Sequence, residues 1–202
     1  MQDKGVLLII SGPSGSGKGT VVENLIKDGD YILSISATTR NPRNYEKEGE
    51  HYYFKEKNEF VEMIETGGFI EHACFCDNYY GTPKKRVEEK LAEGMNVILE
   101  IEVQGALQVR EKMPDAVLVF LVPPSIKELE NRLKGRNTES AEVIESRIKR
   151  AVEEIELLRE YDYIVVNDEI DNAVSKIDTI VKTEKMRPFR NLETIKKLKG
   201  EI

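Results

Sequence analysis

The chain has 202 residues, 40% of them hydrophobic, a size that suits one α/β unit with small insertions. Its formal net charge of −7 argues against general nucleic-acid or membrane binding, so a polyanionic ligand must meet a local cluster of arginines and lysines. With only Cys74 and Cys76, a disulfide framework is excluded and a reducing cytoplasm is expected. The apolar run 6–10 is too short for a signal peptide or a membrane span.

Buried strands and helices alternate along much of the chain. Short apolar runs are typical of parallel strands that are buried on both faces. The predicted strands are Val6–Ile10, Val97–Ile101, Val117–Val122 and Tyr163–Val166. The predicted helices are Lys18–Lys27, Ala106–Lys112, one that opens at Ser125 with Glu128 at capping-box spacing, and Asp171–Lys185. This alternation predicts an α/β fold with a doubly wound parallel sheet.

Two stretches interrupt the alternation. The first spans 34–90 and reads as a small α+β insertion, with a helix near Asn58–Glu65 and a strand-like Phe69–Phe75. Within it, Thr82-Pro83 is expected to start a helix, with threonine as the N-cap and proline in the first turn. The second interruption spans 125–155 and is helical and rich in charge. The remaining segments 1–33, 91–124 and 156–202 are expected to form the core.

The segment from Gly12 to Thr20, GPSGSGKGT, lies between the first strand and the first helix, as a phosphate-binding P-loop requires. Glycines let successive backbone N–H groups turn toward phosphate oxygens, and the helix start adds a positive dipole. A glycine-rich turn with a chance lysine is the alternative. The expected triphosphate ligands are Gly12, Ser14, Gly15, Ser16, Gly17, Lys18, Gly19 and Thr20. Gly19 separates the lysine from Thr20, a form that resembles nucleotide kinases.

A second group of polar residues follows in the first insertion. Arg40 and Arg43 place two guanidinium groups three residues apart, and planar forks of this kind suit phosphate oxygens. Tyr52, Tyr80 and Thr82 add hydroxyl groups. Taken singly, an arginine pair is usually a solvated surface feature and clustered tyrosines usually pack against each other.

The order of the motifs along the chain is more specific than any one motif by itself. The P-loop is followed by TTRNPR, GEHYYF, FIEHA, NYYGT, ILEIEVQGA, FLVPPS and IVVND. From Gly5 to about Lys185 the chain resembles the guanylate kinase family. The resemblance implies ATP-dependent phosphorylation of GMP, and of dGMP, with Mg²⁺. It also implies an adenylate-kinase-like core, a GMP-binding insertion and a lid, which match 34–90 and 125–155.

The resemblance assigns roles to individual residues. It places Arg40, Arg43, Tyr52 and Tyr80 on the GMP phosphate, and Ser36, Glu71, Thr82 and Glu102 around the guanine. It places Arg132, Arg136 and Arg147 on phosphates, Asn167 on adenine and Thr20 toward Mg²⁺. The expected catalytic residues are Lys18, Arg40, Arg43, Arg136 and Arg147. Chemistry supports Glu71, because one carboxylate can accept hydrogen bonds from both N1–H and N2–H₂ of guanine.

Several positions depart from the family's pattern. Glu100 and Glu102 stand where many members have aspartate, which leaves their reach toward guanine or a water-bound Mg²⁺ undecided. Tyr45 and Asn137 stand where glycine is frequent, and asparagine tolerates the left-handed backbone better than most residues.

Other functions remain as alternatives. Guanylate-kinase-like domains also serve as phosphopeptide-binding modules, although these usually have degraded ATP loops. A related P-loop kinase could act on another phosphorylated acceptor, against which Glu71 argues. The charged face of the second insertion could simply be solvated, and the alternating His72, Cys74 and Cys76 favour packing over a metal site. The sequence leaves the oligomeric state open.

Overall fold

The computed structural model describes residues 4–135 and 140–200, and these contain nine strands and eight α-helices. The strands are β1 Leu7–Ser11, β2 Tyr31–Leu33, β3 Ala37–Thr38, β4 Tyr53–Phe54, β5 Phe69–Phe75, β6 Asn78–Pro83, β7 Asn96–Glu100, β8 Val117–Val122 and β9 Tyr163–Val166. The helices are α1 Lys18–Leu25, α2 Lys57–Glu65, α3 Lys84–Ala92, α4 Val103–Lys112, α5 Ile126–Lys134, α6 Ala141–Ile155, α7 Ile170–Lys185 and α8 Leu192–Lys199.

The core is a parallel sheet with the strand order β2-β7-β1-β8-β9. Leu8 of the central strand β1 pairs with Ile98 on one side and with Val117 on the other. Side chains alternate between the two faces of a strand, and here both faces are covered. Leu8 and Ile10 pack on the side of α1 and α7, whereas Leu7 and Ile9 pack on the side of α3 and α4. The predicted doubly wound parallel sheet is therefore confirmed.

A second, mostly antiparallel sheet has the order β4-β3-β6-β5. Its small core is aromatic: the Phe60 ring of α2 stacks on Phe69 at 4.3 Å and on Tyr79 at 5.5 Å between ring centroids. The helix start expected at Thr82-Pro83 is wrong in detail. Both residues end β6, and Pro83 is itself the N-cap residue of α3. The Thr82 hydroxyl donates to a buried carboxylate instead of capping the helix.

Helices α5 and α6 form a third cluster, in which Leu129 and Leu133 pack against Ile144 and Ala151. The Ser125 hydroxyl caps α5 by accepting a hydrogen bond of 3.1 Å from the Glu128 N–H, as the sequence predicts. Among the helices of residues 4–135 and 140–200, none combines the length and the apolar composition needed to cross a lipid bilayer.

Candidate active site

The predicted site residues of the core follow the carboxyl ends of its parallel strands. The P-loop leaves β1, Glu100 and Glu102 lie at the end of β7, and Asn167 comes directly after β9. In open α/β sheets this edge is where ligands bind, because loops diverge there and helix N-termini point toward it.

The P-loop is held in a compact arrangement by its own lysine. Lys18 Nζ donates to the carbonyl oxygens of Gly12 at 2.6 Å and Pro13 at 3.2 Å. Gly17, the N-cap residue of α1, has a φ of 90°, in the left-handed region. A Cβ there would lie 2.4 Å from Asn167 Nδ2, so only glycine fits. The loop is thus built around close backbone approach.

Asn167 and Arg132 close one side of the P-loop. Asn167 Nδ2 donates to the Ser16 carbonyl at 2.8 Å, and Arg132 Nη2 donates to the Asn167 carbonyl at 3.0 Å. Arg132 Nε also donates to Glu128 Oε1 at 2.9 Å. An open cavity of about 460 Å³ lies here, lined by Gly17, Thr20, Arg132, Asn167, Asp168, Glu169 and Ile170. The two residues predicted for adenine and phosphate therefore border one cavity beside the loop.

Arg40, Tyr52 and Tyr80 come together on the second sheet. The Arg40 guanidinium lies 5.6 Å from the centroid of the Tyr52 ring, and the Tyr52 and Tyr80 rings are 6.2 Å apart. Arg43 Nη1 donates to the Tyr45 hydroxyl at 2.9 Å. Tyr45, which stands where the family often has glycine, therefore orients the Arg43 guanidinium. These contacts bring together cations and phenols suited to a phosphate group.

Glu46 organises this cluster, and the sequence analysis missed it. Arg40 Nη2 donates to Glu46 Oε1 at 2.8 Å and Oε2 at 2.9 Å, and the Arg43 N–H donates to Oε2 at 2.8 Å. The Arg40 hydrogen bond holds the pKa of Glu46 below its ordinary value. The sequence does contain a signal for this role, a glutamate three residues after Arg43. It was not singled out because a charged residue in a loop is usually solvated.

Glu71 lies deeper in the second sheet, only 6% exposed. The Thr82 hydroxyl donates to Glu71 Oε1 at 2.6 Å, so two residues predicted for guanine are in direct contact. Burial raises the pKa of Glu71, while the Thr82 hydrogen bonds and the charge of Lys112 lower it in part. Ser36, just before β3, is half-buried and accepts a hydrogen bond from the Tyr53 N–H through its carbonyl.

Glu100 lies beside the start of α1, and Thr20 follows the lysine of the P-loop by two residues. A Cβ on Gly19 would lie 3.9 Å from both Glu100 carboxylate oxygens. Partial desolvation raises the pKa of Glu100, and the charge of Lys18 opposes this in part. Mg²⁺ takes few protein ligands and fills its octahedron with water and phosphate oxygens, so this hydroxyl and carboxylate fit it.

Helix α6 contacts both halves of the site. Arg147 Nη1 donates to Ser14 Oγ of the P-loop at 2.8 Å. Arg150, one turn later, donates to Glu102 Oε2 at 2.8 Å and to Glu154 Oε1 at 3.0 Å. Glu102, predicted for guanine, is therefore ion-paired, with a partner that the sequence analysis did not identify. Arg136, also predicted as a catalytic and ATP-binding residue, lies outside the described residues.

Comparisons with known proteins give one family for this chain. The guanylate kinase family model matches residues 4–184. A guanylate kinase of Latilactobacillus sakei subsp. sakei is 48% identical over 203 residues, and the match covers 100% of both chains. One of Caldanaerobacter subterraneus subsp. tengcongensis is 50% identical over 202 residues, which are 100% of this chain and 98% of the relative.

A solved structure extends the likeness to three dimensions. The crystal structure of guanylate kinase from Anaplasma phagocytophilum superimposes with a TM-score of 0.76 at 33% identity. The superposition covers 100% of this chain and 98% of that one. Family model, full-length relatives and structural neighbour all carry the same name, and on these grounds this chain belongs to the guanylate kinase family.

Proposed function

We propose that this protein transfers the γ-phosphoryl group of ATP to GMP, and to dGMP, producing ADP and the nucleoside diphosphate. The observation that carries the proposal is Glu71, a carboxylate buried beside Thr82 in the sheet that also holds the Arg40 cluster. A buried acceptor pair fits the adjacent N1–H and N2–H₂ donors of guanine, whereas adenine has an unprotonated N1 there. The full-length relatives named guanylate kinase support the same acceptor.

The P-loop side would hold the donor nucleotide. The backbone N–H groups from Gly12 to Gly19 would surround the triphosphate, and Lys18 would leave its carbonyl partners for the β and γ phosphates. The cavity between Arg132 and Asn167 would take the adenosine. Thr20 and Glu100 would hold Mg²⁺ directly or through water, and when bound the ion would neutralise phosphate charge.

The arginines would carry most of the catalytic effect. The acceptor phosphate has a second pKa of about 6 and is already anionic, so it needs no general base. Repulsion between two polyanions is the main obstacle, and Lys18, Arg40, Arg43 and Arg147 would offset it and stabilise the transferring group. Arg136 is assigned the same role from the sequence alone.

The division of labour follows from these positions. We assign residues 1–33, 91–124 and 156–202 to the ATP-binding core, 34–90 to GMP binding and 125–155 to a lid. Closure of the last two over the substrates would exclude water and limit ATP hydrolysis. Cys74 and Cys76 are free thiols on an exposed hairpin, which supports a reducing cytoplasm as the place of action.

A coupled ADP-release assay across GMP, dGMP, IMP, AMP, CMP and UMP tests the proposal. We expect turnover with GMP and dGMP far above that with AMP or the pyrimidine nucleotides. Lys18→Ala should lower kcat by about 10²-fold or more, because it removes a charge from the transferring phosphates. The function is refuted if the wild-type protein prefers another monophosphate. The mechanism is refuted if a folded Lys18→Ala variant turns over normally.

A further inference from the structure

Strand β5 is irregular at the residue that would read the base. Phe69 pairs with Pro83 and His72 pairs with Gly81, so the two residues Ile70 and Glu71 lie opposite the single residue 82 of β6. This is a β-bulge, which changes the side-chain direction of the residues that follow it. Phe69 is buried against Phe60 of α2, whereas Ile70 is buried in the cluster that contains Ala106 of α4. The Glu71 carboxylate also lies beside α4, at Gly105, so two successive residues of β5 face the same helix.

A side chain of α4 closes the outer edge of the bulged strand. Gln108 Oε1 accepts from the His72 N–H at 3.1 Å, and Gln108 Nε2 donates to the His72 carbonyl at 3.0 Å. Strand β5 is the edge of its sheet, so these outward-facing backbone groups would otherwise require water. The side-chain amide of glutamine carries an acceptor oxygen and a donor nitrogen, as a backbone peptide unit does. The Gln108 amide therefore forms the two hydrogen bonds that a neighbouring strand would otherwise form with His72.

The same helix also approaches the Glu71 carboxylate itself. A Cβ at Gly105, one turn before Gln108, would lie 3.0 Å from Glu71 Oε2. On its other side the carboxylate receives the Thr82 hydroxyl. At Gly105, α4 therefore leaves room for the Glu71 carboxylate. At Gln108, the same helix forms two hydrogen bonds to the backbone of His72, the residue after Glu71.

We propose that Gln108 is a positioning residue for guanine recognition, which sets the direction of the Glu71 carboxylate by holding β5 in its bulged register at His72. A shift of one residue in register moves side chains to the opposite face of a sheet. If β5 relaxed toward regular pairing, Glu71 would turn away from Thr82 and from the base. This inference rests on the proposed function, because it assumes that Glu71 binds guanine.

The first test is Gln108→Met, which keeps an unbranched side chain of similar length and removes both hydrogen bonds. Glu111→Met, at an exposed position of α4, is the matched control. We measure kcat and KM for GMP, IMP and ATP, together with thermal unfolding. IMP lacks the 2-amino group that Glu71 would bind. In Gln108→Met we expect the KM for GMP to rise about ten-fold and the preference for GMP over IMP to narrow.

Between the wild type and Gln108→Met, kcat and the KM for ATP should change by less than about two-fold, because the substitution does not alter the core sheet. Gln108→Glu is the second variant: it keeps an acceptor for the His72 N–H but sets a carboxylate oxygen against the His72 carbonyl. It should change the KM for GMP in the same direction. The control Glu111→Met should match the wild type in every measurement.

Other outcomes separate the two claims. A wild-type protein that does not phosphorylate GMP contradicts the proposed function, whatever the variants do. If the wild type uses GMP and Gln108→Met leaves the GMP-to-IMP preference unchanged, the positioning role is wrong. A uniform loss of kcat with both acceptors, or failure of both Gln108 variants to fold, also overturns it, since Gln108 would then act only as a structural link.

Discussion

At the scale of single residues, Glu71 shows how burial makes a common side chain specific. A carboxylate on a surface strand would be solvated, but this one is 6% exposed and receives the Thr82 hydroxyl at 2.6 Å. A buried polar group that loses its partner is costly, and a site built in this way rejects ligands that fail to pair with it. Base selection should therefore depend strongly on this one carboxylate.

Replacing Glu71 with glutamine should test that dependence directly. The amide keeps the shape, removes the charge and puts a donor where guanine offers another donor. We expect kcat/KM for GMP to fall by roughly 10⁴-fold in the favourable case, with discrimination against AMP narrowing at the same time. The measurement is kcat/KM for GMP and AMP in both proteins. An unchanged GMP-to-AMP ratio would assign base reading to another residue, and Glu102→Gln is the parallel variant that would reveal it.

The same carboxylate should give GMP binding a pH dependence. Burial raises the pKa of Glu71, with Thr82 and Lys112 opposing this and Glu102 adding to it. Guanine requires the ionised form, so GMP binding should weaken as pH falls through the raised pKa. The phosphate of GMP also titrates, at about 6. The KM for GMP is therefore measured against pH in the wild type and in Glu71→Gln, where only the phosphate step should remain. Superimposable profiles would exclude a titrating Glu71.

At the scale of elements, α5 depends on a local cap. The Ser125 hydroxyl accepts from the Glu128 N–H, which satisfies one of the free donors at the helix start. Ser140, by contrast, precedes α6 without a side-chain cap hydrogen bond. The two serines form a natural pair for measuring what the cap contributes.

Ser125→Ala should lower the free energy of unfolding by about 1 kcal/mol, because the Glu128 N–H loses its partner. For a chain of this size that corresponds to a fall in Tm of about 2–4 °C. Ser140→Ala should have a smaller effect. Thermal and denaturant unfolding of both variants is the check, and a Ser125→Ala variant as stable as the wild type would show that the Ser125 hydrogen bond contributes nothing measurable.

At the scale of the whole molecule, α6 links parts of the chain that are distant in sequence. Arg147 reaches the P-loop at Ser14, and Arg150 reaches Glu102 just before α4. The Arg150–Glu102 pair is exposed and surface pairs of this kind contribute little stability. These contacts place cations of one helix beside the P-loop and beside Glu102, the residues proposed for the two substrates.

Arg147→Ala should lower kcat by about 10²–10⁴-fold and weaken GMP binding much less, since the charge acts on the transferring phosphate. Arg136→Ala is expected to behave alike on the sequence evidence. Lys149→Ala, an exposed position of α6, serves as the control for loss of a positive charge from that helix. Steady-state kinetics with both substrates distinguishes the roles, and an effect confined to the KM for GMP would remove Arg147 from the transferring group.

Local patterns were enough to predict much of this protein. Apolar runs predicted the strands of the core sheet, and the glycine and lysine spacing predicted a P-loop between β1 and α1. The Ser125 cap was also evident from its three-residue spacing to Glu128. Each of these features depends on residues that are close together in the sequence. Backbone sterics, short-range hydrogen bonds and the two-residue period of a strand determine them, so the local sequence is sufficient to predict them.

Tertiary packing decided the features that join distant residues. The bulge of β5 lies between β6, whose Thr82 hydroxyl donates to the Glu71 carboxylate, and α4, whose Gln108 donates to the His72 carbonyl. The sequence predicted Thr82 as a helix N-cap, but its hydroxyl donates to the buried Glu71 carboxylate and does not cap α3. Arg150 meets Glu102 across 48 positions of sequence. No local preference specifies such contacts, because the gain from pairing a buried polar group depends on which elements the folded core brings together.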